Sequence, residues 1–298
     1  MVDDPGGAEP TASSLLAEAV IRLHQAGVRE AAFDAELLLR HLTGWDRAAV
    51  LTRGGERLGA GAVAEYRALV AQRARRRPLQ HLTGRQAFWR HEFEVTPDVL
   101  IPRPETELLV EAALEALAGI PEPLVVDVGT GSGCIALSLA AERPDAVVHA
   151  VDISPAALDV VARNAERLGL AGRVTCHAGD LLAPVMALAG SVHVVVSNPP
   201  YVADEERASL EPEVRDHEPP AALFAAGGWR ALYRRLAGEA ATVLAPGGHL
   251  MAEVGQGMSA EVEALWAGQR LEVVGVRADL QGIPRVVVGR RPRATVRS

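Results

Sequence analysis

The chain has 298 residues, a formal net charge of −8, 49% hydrophobic residues and 23% charged ones. That length fits about two domains, and the composition belongs to a globular protein rather than a disordered one. No run of about 18 apolar residues occurs, so a membrane span is excluded. The acidic opening Met1-Val2-Asp3-Asp4-Pro5 is unlike a secretory leader. The two cysteines, Cys134 and Cys176, make neither a disulfide framework nor a Cys-x-x-Cys pair, and the expected compartment is the reducing cytoplasm. All thirty basic residues are arginine, which removes lysine Schiff-base chemistry and any phosphate-loop lysine. A net negative chain does not draw in duplex DNA through its overall field, so no direct DNA binding is expected. The nine histidines show no His-x-x-x-His spacing, and no metal site is expected.

Residues 1–12 read as a disordered leader. Leu15, Leu16, Ala19, Val20 and Leu23 then fall at helical spacing, closed by Gly27. Phe33, Leu37, Leu38 and Leu42 make a second apolar face closed by Gly44, and Ala62, Val63, Tyr66, Leu69 and Val70 a third that ends before Pro78. These three helices, over 13–78, read as a small helical bundle forming a separate N-terminal domain. In 79–103, Phe88, Trp89, Phe93, Val95, Val99 and Ile101 alternate with polar residues as in a β-hairpin, placed here as a linker. Arg73, Arg75, Arg76, Arg77, Arg85 and Arg90 form a basic run, either a patch for a partner or a solvated helix end.

From 104 to 298 the pattern changes. After a helix from Glu105 to Ala118, strands are expected at Leu124–Val128, Val147–Val151, Val174–Ala178, Val192–Ser197, Leu250–Val254, Leu271–Val276 and Arg285–Val288. Helices are expected at Gly133–Glu142, Pro155–Leu168, Trp229–Val243 and Ser259–Ala267. Short apolar strands alternating with helices specify an α/β domain with a mostly parallel sheet covered on both faces. The last two strands lie too close for a helical crossover and should pair antiparallel.

Two stretches carry chemistry. Val125-Val126-Asp127-Val128-Gly129-Thr130-Gly131-Ser132-Gly133 runs from a strand through a glycine-rich turn into a helix, and such a turn lets a ligand approach the backbone closely. Asp152 ends the next strand, where a carboxylate can accept hydrogen bonds from ribose hydroxyls, and Asp180 ends the third, within reach of a base. All lie where open α/β sheets bind ligands. A dinucleotide fingerprint would need glycine where Cys134 stands. An acid at 127 repels a pyrophosphate but suits a methionyl ammonium, which favours S-adenosylmethionine over a nicotinamide dinucleotide.

The second stretch, Ser197-Asn198-Pro199-Pro200-Tyr201, follows the fourth strand. It is similar to the signature of methyltransferases acting on a nitrogen conjugated to a planar group, either a glutamine or asparagine amide or the exocyclic amine of adenine. An amide NH2 is a poor nucleophile that carries two donor hydrogens. The Asn198 side-chain carbonyl and the Pro199 backbone carbonyl can accept both, fixing the nitrogen while its lone pair localises. The prolines stiffen the loop, and the Tyr201 ring can stack on the planar group.

With Pro78-Leu79-Gln80-His81-Leu82-Thr83-Gly84, Ile101-Pro102-Arg103-Pro104-Glu105-Thr106-Glu107 and Gly282-Ile283-Pro284-Arg285, these motifs make the chain resemble the PrmC/HemK family, the release factor glutamine N5-methyltransferases. The resemblance implies a Rossmann-like class I S-adenosylmethionine-dependent methyltransferase domain with an N-terminal helical bundle and a connecting β-hairpin. It implies methyl transfer to the glutamine of the Gly-Gly-Gln motif in class 1 peptide chain release factors. In that reading Asp127, Val128, Gly129, Thr130, Gly131, Asp152, Asp180, Leu181 and Asn198 meet the cofactor. Asn198, Pro199, Pro200 and Tyr201 hold the glutamine, with Asn198, Pro199 and Tyr201 catalytic. Leu181 stands where some members carry an aromatic residue, and Gly227-Gly228-Trp229-Arg230-Ala231-Leu232 departs from the family's glycine pattern. A ribosomal-protein glutamine methyltransferase, an adenine-N6 DNA methyltransferase and a non-enzymatic adaptor are the alternatives.

Overall fold

The computed structural model describes residues 9–293, in two compact units. The smaller takes the described residues up to Gly84 together with Glu211–His217. Its helices are α1 (Ala12–Gln25), α2 (Ala31–Thr43), α3 (Arg47–Thr52), α4 (Ala60–Ala74) and α5 (Leu79–Thr83). Thr11 caps α1 by accepting from the Ser14 amide, and Asp46 caps α3 by accepting from Ala49, the usual way to satisfy the free amides of a first turn. Leu15, Leu23, Leu38, Leu39 and Tyr66 are buried together, and the Tyr66 hydroxyl donates to the Ala35 carbonyl at 2.9 Å.

Three expectations change here. Of the presumed leader, residues 1–8 lie outside those described. Pro10 accepts from the Leu58 amide, however, and Thr11 bridges Arg57, so regular structure begins before residue 13. Phe33 is exposed, because the buried face of α2 is set by Ala31, Ala35 and Leu38, and a residue two positions from both Ala31 and Ala35 points to the opposite side. Residues 79–83 are helical rather than part of a ribbon.

The basic run is largely neutralised. Arg73 is buried, with Nε 2.6 Å from Asp34 and Nη1 2.8 Å from Glu213. Arg76 donates to both carboxylate oxygens of Glu213 and reaches Glu211 at 3.2 Å. Arg85 and Arg90, in the larger unit, pair with Glu92 and Glu142.

The larger unit opens with the hairpin β1 (Arg85–Phe88) and β2 (His91–Glu94). The hairpin packs into this unit's core through Phe88 and Phe93. Val95, Val99 and Ile101 are buried beyond it without forming strand. A 3₁₀ turn at Pro104–Thr106 precedes α6 (Glu107–Ala116). There follow β3 (Leu124–Val128), α7 (Cys134–Glu142), β4 (Val147–Asp152), α8 (Pro155–Arg167), β5 (Val174–Ala178) and β6 (Val192–Ser197). Two short helices come next, α9 (Pro212–His217, within the smaller unit) and α10 (Pro220–Leu223). The chain ends in α11 (Trp229–Val243), β7 (Leu244–Glu253), α12 (Ser259–Ala267), β8 (Glu272–Ala278) and β9 (Pro284–Arg290).

The seven strands stand in the order β5-β4-β3-β6-β7-β9-β8. β9 pairs antiparallel with both of its neighbours, and the remaining pairs are parallel, as the short link before β9 required. β7 starts before the expected Leu250 because an irregularity in its pairing with β6 absorbs Ala245 to Gly248. One apolar layer lies on each face of the sheet. Val125, Val148 and Val194 face α6 and α7, while Val126, Val195 and Val287 face α11 and α12.

Strand β9 contains Gly289, which is there because the indole of Trp266 lies against its backbone. A Cβ at this position would stand 2.9 Å from Trp266 Cε3, and Trp266 is fully buried. Gly289→Ala should therefore destabilise the chain by about 1–3 kcal/mol through overpacking, measured by urea unfolding with an unchanged slope.

Candidate functional site

Strand order reverses at β3 and β6, which opens a crevice beyond their carboxyl ends. Val151, Val128, Ser197 and Ala252 are register partners across β4, β3, β6 and β7. The residues immediately after them are Asp152, Gly129, Asn198 and Glu253. One row thus delivers two carboxylates, a primary amide and the start of the glycine turn to the same edge.

On the β3 side, Asp127 is wholly buried. Its Oδ2 accepts from the Thr130 hydroxyl at 2.7 Å and from the Ala136 amide, in the first turn of α7, at 3.2 Å. Its Oδ1 is buried with no hydrogen-bond partner among the described residues. Burial, with a smaller push from Asp152, raises this carboxyl to about 7. Gly129 and Gly131 have φ of 69° and 56°, the left-handed region that glycine enters freely. A Cβ at either would meet open space, so the turn borders an unfilled cradle. Asp152 ties the cradle together, accepting from the Gly131 amide and from the Ser154 amide, each at 2.9 Å. Val128 is buried beneath, and its carbonyl accepts from the Ser197 hydroxyl at 2.8 Å, joining the ends of β3 and β6.

On the β6 side, Asn198 Nδ2 donates to Thr106 Oγ1 at 3.1 Å, and Thr106 Oγ1 donates to Glu253 Oε2 at 2.6 Å. The Tyr201 hydroxyl faces Glu253 Oε1 at 3.4 Å, and the Tyr233 hydroxyl donates to the Glu253 carbonyl. Glu253 is 2% exposed, and burial raises it to about 7. Burial likewise pushes the Tyr201 phenol up. The loop carrying Pro199 and Pro200 is fastened downstream, where the Val202 amide donates to the Leu223 carbonyl at 3.0 Å. Nearby, Arg103 donates to the buried Glu218 at 2.5 Å, and Arg285 is held by Asp279 at 2.9 Å.

The residues anticipated from the sequence thus fall into two bonded groups, one around Asp127, Thr130, Gly131 and Asp152, the other around Asn198 and Tyr201. Leu181 is buried beside Val128 and Val151, with the positive φ of 47°. Asp180 is the exception, since its Oδ2 is engaged by Arg235 at 2.7 Å in a half-exposed ion pair. Thr106 carries no site role in the sequence reading beyond its place in the Ile101–Glu107 motif, and Glu253 carries none. The sequence signal for Glu253 is the same as for Asp152, an acid that ends an apolar strand.

Two family models match, the PrmC N-terminal domain over residues 14–84 and the methyltransferase small domain over residues 104–213. A release factor glutamine methyltransferase from Burkholderia pseudomallei is 46% identical over 265 residues, 88% of this chain and 92% of that one. One from Cereibacter sphaeroides is 44% identical over 283 residues, 95% and 99% of the two chains. The hMettl16 catalytic domain, solved in complex with MAT2A 3'UTR hairpin 6, superposes with a TM-score of 0.53. That match has 15% identity and covers 66% of this chain and 74% of that one; it shows a shared fold alone.

A buried acid with a raised titration point has a signed consequence for stability. Between about pH 4 and 7 the folded chain keeps on Asp127 a proton that the unfolded chain has released, so this group's contribution is intact at low pH and is lost as pH rises through 7. Asp127→Asn carries no charge at any pH. Its melting temperature relative to the unsubstituted chain should therefore climb by several degrees between pH 4.5 and pH 8 in differential scanning measurements. A flat difference would show that Asp127 ionises without cost.

Proposed function

The chain belongs to the release factor glutamine methyltransferases, and from that membership we propose its reaction in detail. It moves a methyl group from S-adenosylmethionine to the side-chain amide nitrogen (N5) of the glutamine in the Gly-Gly-Gln motif of a class 1 peptide chain release factor. The observation that carries this reading is the state of Asn198. Its Nδ2 is committed to Thr106, so its Oδ1 is the atom left to accept from a substrate NH2.

The cradle fits the cofactor by its donor set. Asp127 Oδ1 is buried and has no partner among the described residues, next to an open glycine turn in sequence, so a cationic ammonium would find its acceptor there, directly or through water. Asp152 has both oxygens fixed by backbone amides and retains lone pairs for two ribose hydroxyls. Leu181 offers an apolar surface for a base. Asp180 serves that base only if it exchanges its bond to Arg235. When bound, S-adenosylmethionine supplies a methyl group on a positive sulfur.

The chain's own residues do the rest. Asn198 Oδ1 and the Pro199 carbonyl accept hydrogen bonds from the two N–H groups of the glutamine amide, which aims its lone pair and lets it localise as the N–C bond forms and the methyl's bond to sulfur breaks; one of the two protons then leaves to water. Both acceptors are neutral, so neither forms an ion pair that would favour the starting state. Pro199 and Pro200 keep the loop in one shape, and Tyr201 borders the planar group. The helical region 13–78 is assigned to recognition of the protein substrate, and 104–298 to catalysis. The place of action follows from the substrate as the cytoplasm, and no helix among the described residues is long and apolar enough to cross a membrane.

Labelled methyl from S-adenosylmethionine should appear on a purified release factor and not on its Gly-Gly-Ala variant. Label on neither, with cofactor binding intact, would move the substrate to a ribosomal protein or DNA. Asn198→Ala should cut turnover by about 10²-fold or more, as for loss of one transition-state hydrogen bond, while cofactor affinity changes little. Asp152→Ala should do the opposite, weakening cofactor binding by calorimetry while leaving turnover at saturation much closer to the unsubstituted value.

A further inference from the structure

We propose that Thr106 and Glu253 are positioning residues that decide which end of the Asn198 side-chain amide faces the substrate. The inference rests on the glutamine-methylation reading and adds to it the source of its geometry. A primary amide is nearly symmetric in shape, and its two ends differ only in that one donates and the other accepts. An Asn198 turned by half a rotation would present Nδ2 to the substrate NH2, and two donors would face each other. Something must fix the rotation.

The hydrogen-bond chain does so by elimination. A carboxylate accepts and cannot donate, so the single Thr106 hydroxyl proton goes to Glu253 Oε2, 2.6 Å away. Thr106 Oγ1 then has only lone pairs to offer Asn198, and the atom 3.1 Å from it is Nδ2. Asn198 Oδ1 is left to point the other way, and it accepts from none of the described residues. Thr106 is 2% exposed, so water does not compete for its hydroxyl. The whole arrangement hangs on a negative Glu253. Were Glu253 protonated, it could donate to Thr106, Thr106 could donate to Asn198 Oδ1, and the amide would reverse.

The surroundings make that reversal accessible in an ordinary pH range. Burial above all, and Glu105, raise Glu253, while Thr106, Tyr201 and Arg285 pull it down, and the balance lies at about 7. Tyr233 bonds its backbone carbonyl, and the thiol of Cys134 lies within its electrostatic reach. Ionised Glu253 is the working form, so kcat should rise with pH through about 7.

The test separates this lock from the reaction it serves. Thr106→Val keeps the shape and removes the hydroxyl. It should lower kcat on a release factor by about tenfold or more, with cofactor affinity within about twofold, and Thr106→Ser should recover most of the loss. Glu253→Gln should turn over more slowly and lose the acid limb of kcat measured at saturating cofactor. Unsubstituted kcat per folded molecule in Thr106→Val, or an unchanged acid limb in Glu253→Gln, would overturn the proposal.

A second readout needs no substrate. The chain has two asparagines, Asn164 and Asn198, so asparagine labelled with 15N gives two side-chain amides by NMR. Asn164, buried and bonded to Glu94 and Ser132, is the internal reference. The Asn198 amide should shift across pH 7 while Asn164 stays put, and the shift should vanish in Thr106→Val and Glu253→Gln. If no methyl reaches a release factor, the substrate assignment fails and this spectrum alone decides the lock. A pH-invariant Asn198 amide overturns the lock whatever the substrate.

Discussion

A parallel sheet whose strand order reverses in the middle cannot be closed over at that point, because the connections from the two central strands leave for opposite faces. Here that point lies between β3 and β6, and the site depends on it. The glycine turn follows β3, the Asn-Pro-Pro-Tyr loop follows β6, and the flanking strands β4 and β7 bring Asp152 and Glu253 to the same row. No residue in the row needs a long side chain to reach the crevice. Register alone places them, and register is secured by the buried valines of the two faces, since a slip of one residue would send every one of them to the wrong layer.

The same constraint explains why two acids with raised titration points are tolerated. Asp127 and Glu253 lie on the two sides of the crevice, and neither makes a direct ion pair with an arginine among the described residues. Each is partly compensated by hydroxyl hydrogen bonds, and Asp127 also by a backbone amide of α7. A guanidinium salt bridge would hold either carboxylate ionised and spend its lone pairs on the protein itself. Hydroxyl partners leave each acid sensitive to what enters from above. Asp127 keeps a buried oxygen without a partner among the described residues, and Glu253 transmits its charge through one proton to an amide.

Much of the larger unit was legible because its strands are short apolar runs bounded by glycine, proline or acids, and its helices have clear stops. The limits of β3, β5, β6, α11 and α12 follow from those signals directly. The sites read from the sequence were those in which motif and position coincide at the end of a strand, as in Asp127, Asp152 and Asn198. What stayed hidden were relations between distant residues. Thr106 and Asn198 lie 92 positions apart, and Thr106 and Glu253 lie 147 apart, and no periodicity reports such a meeting. The hairpin was legible from its alternation as a two-faced ribbon, but the core that Phe88 and Phe93 join was not. Arg73 in turn looked like surface charge because its two buried partners, Asp34 and Glu213, come from far along the chain.

That last arrangement bears on how separable the helical unit is. The stretch resembling the PrmC N-terminal domain ends at Gly84, yet the buried guanidinium of Arg73 takes one of its two carboxylates from Glu213, far beyond that limit. A fragment cut after Gly84 keeps Asp34 and loses Glu213, leaving a buried cation half-compensated, a condition that costs several kcal/mol in proteins generally. The helical unit is therefore discontinuous in sequence: a short segment from far along the chain, Glu211–His217, completes it, and its stability depends on residues that no cut after Gly84 retains.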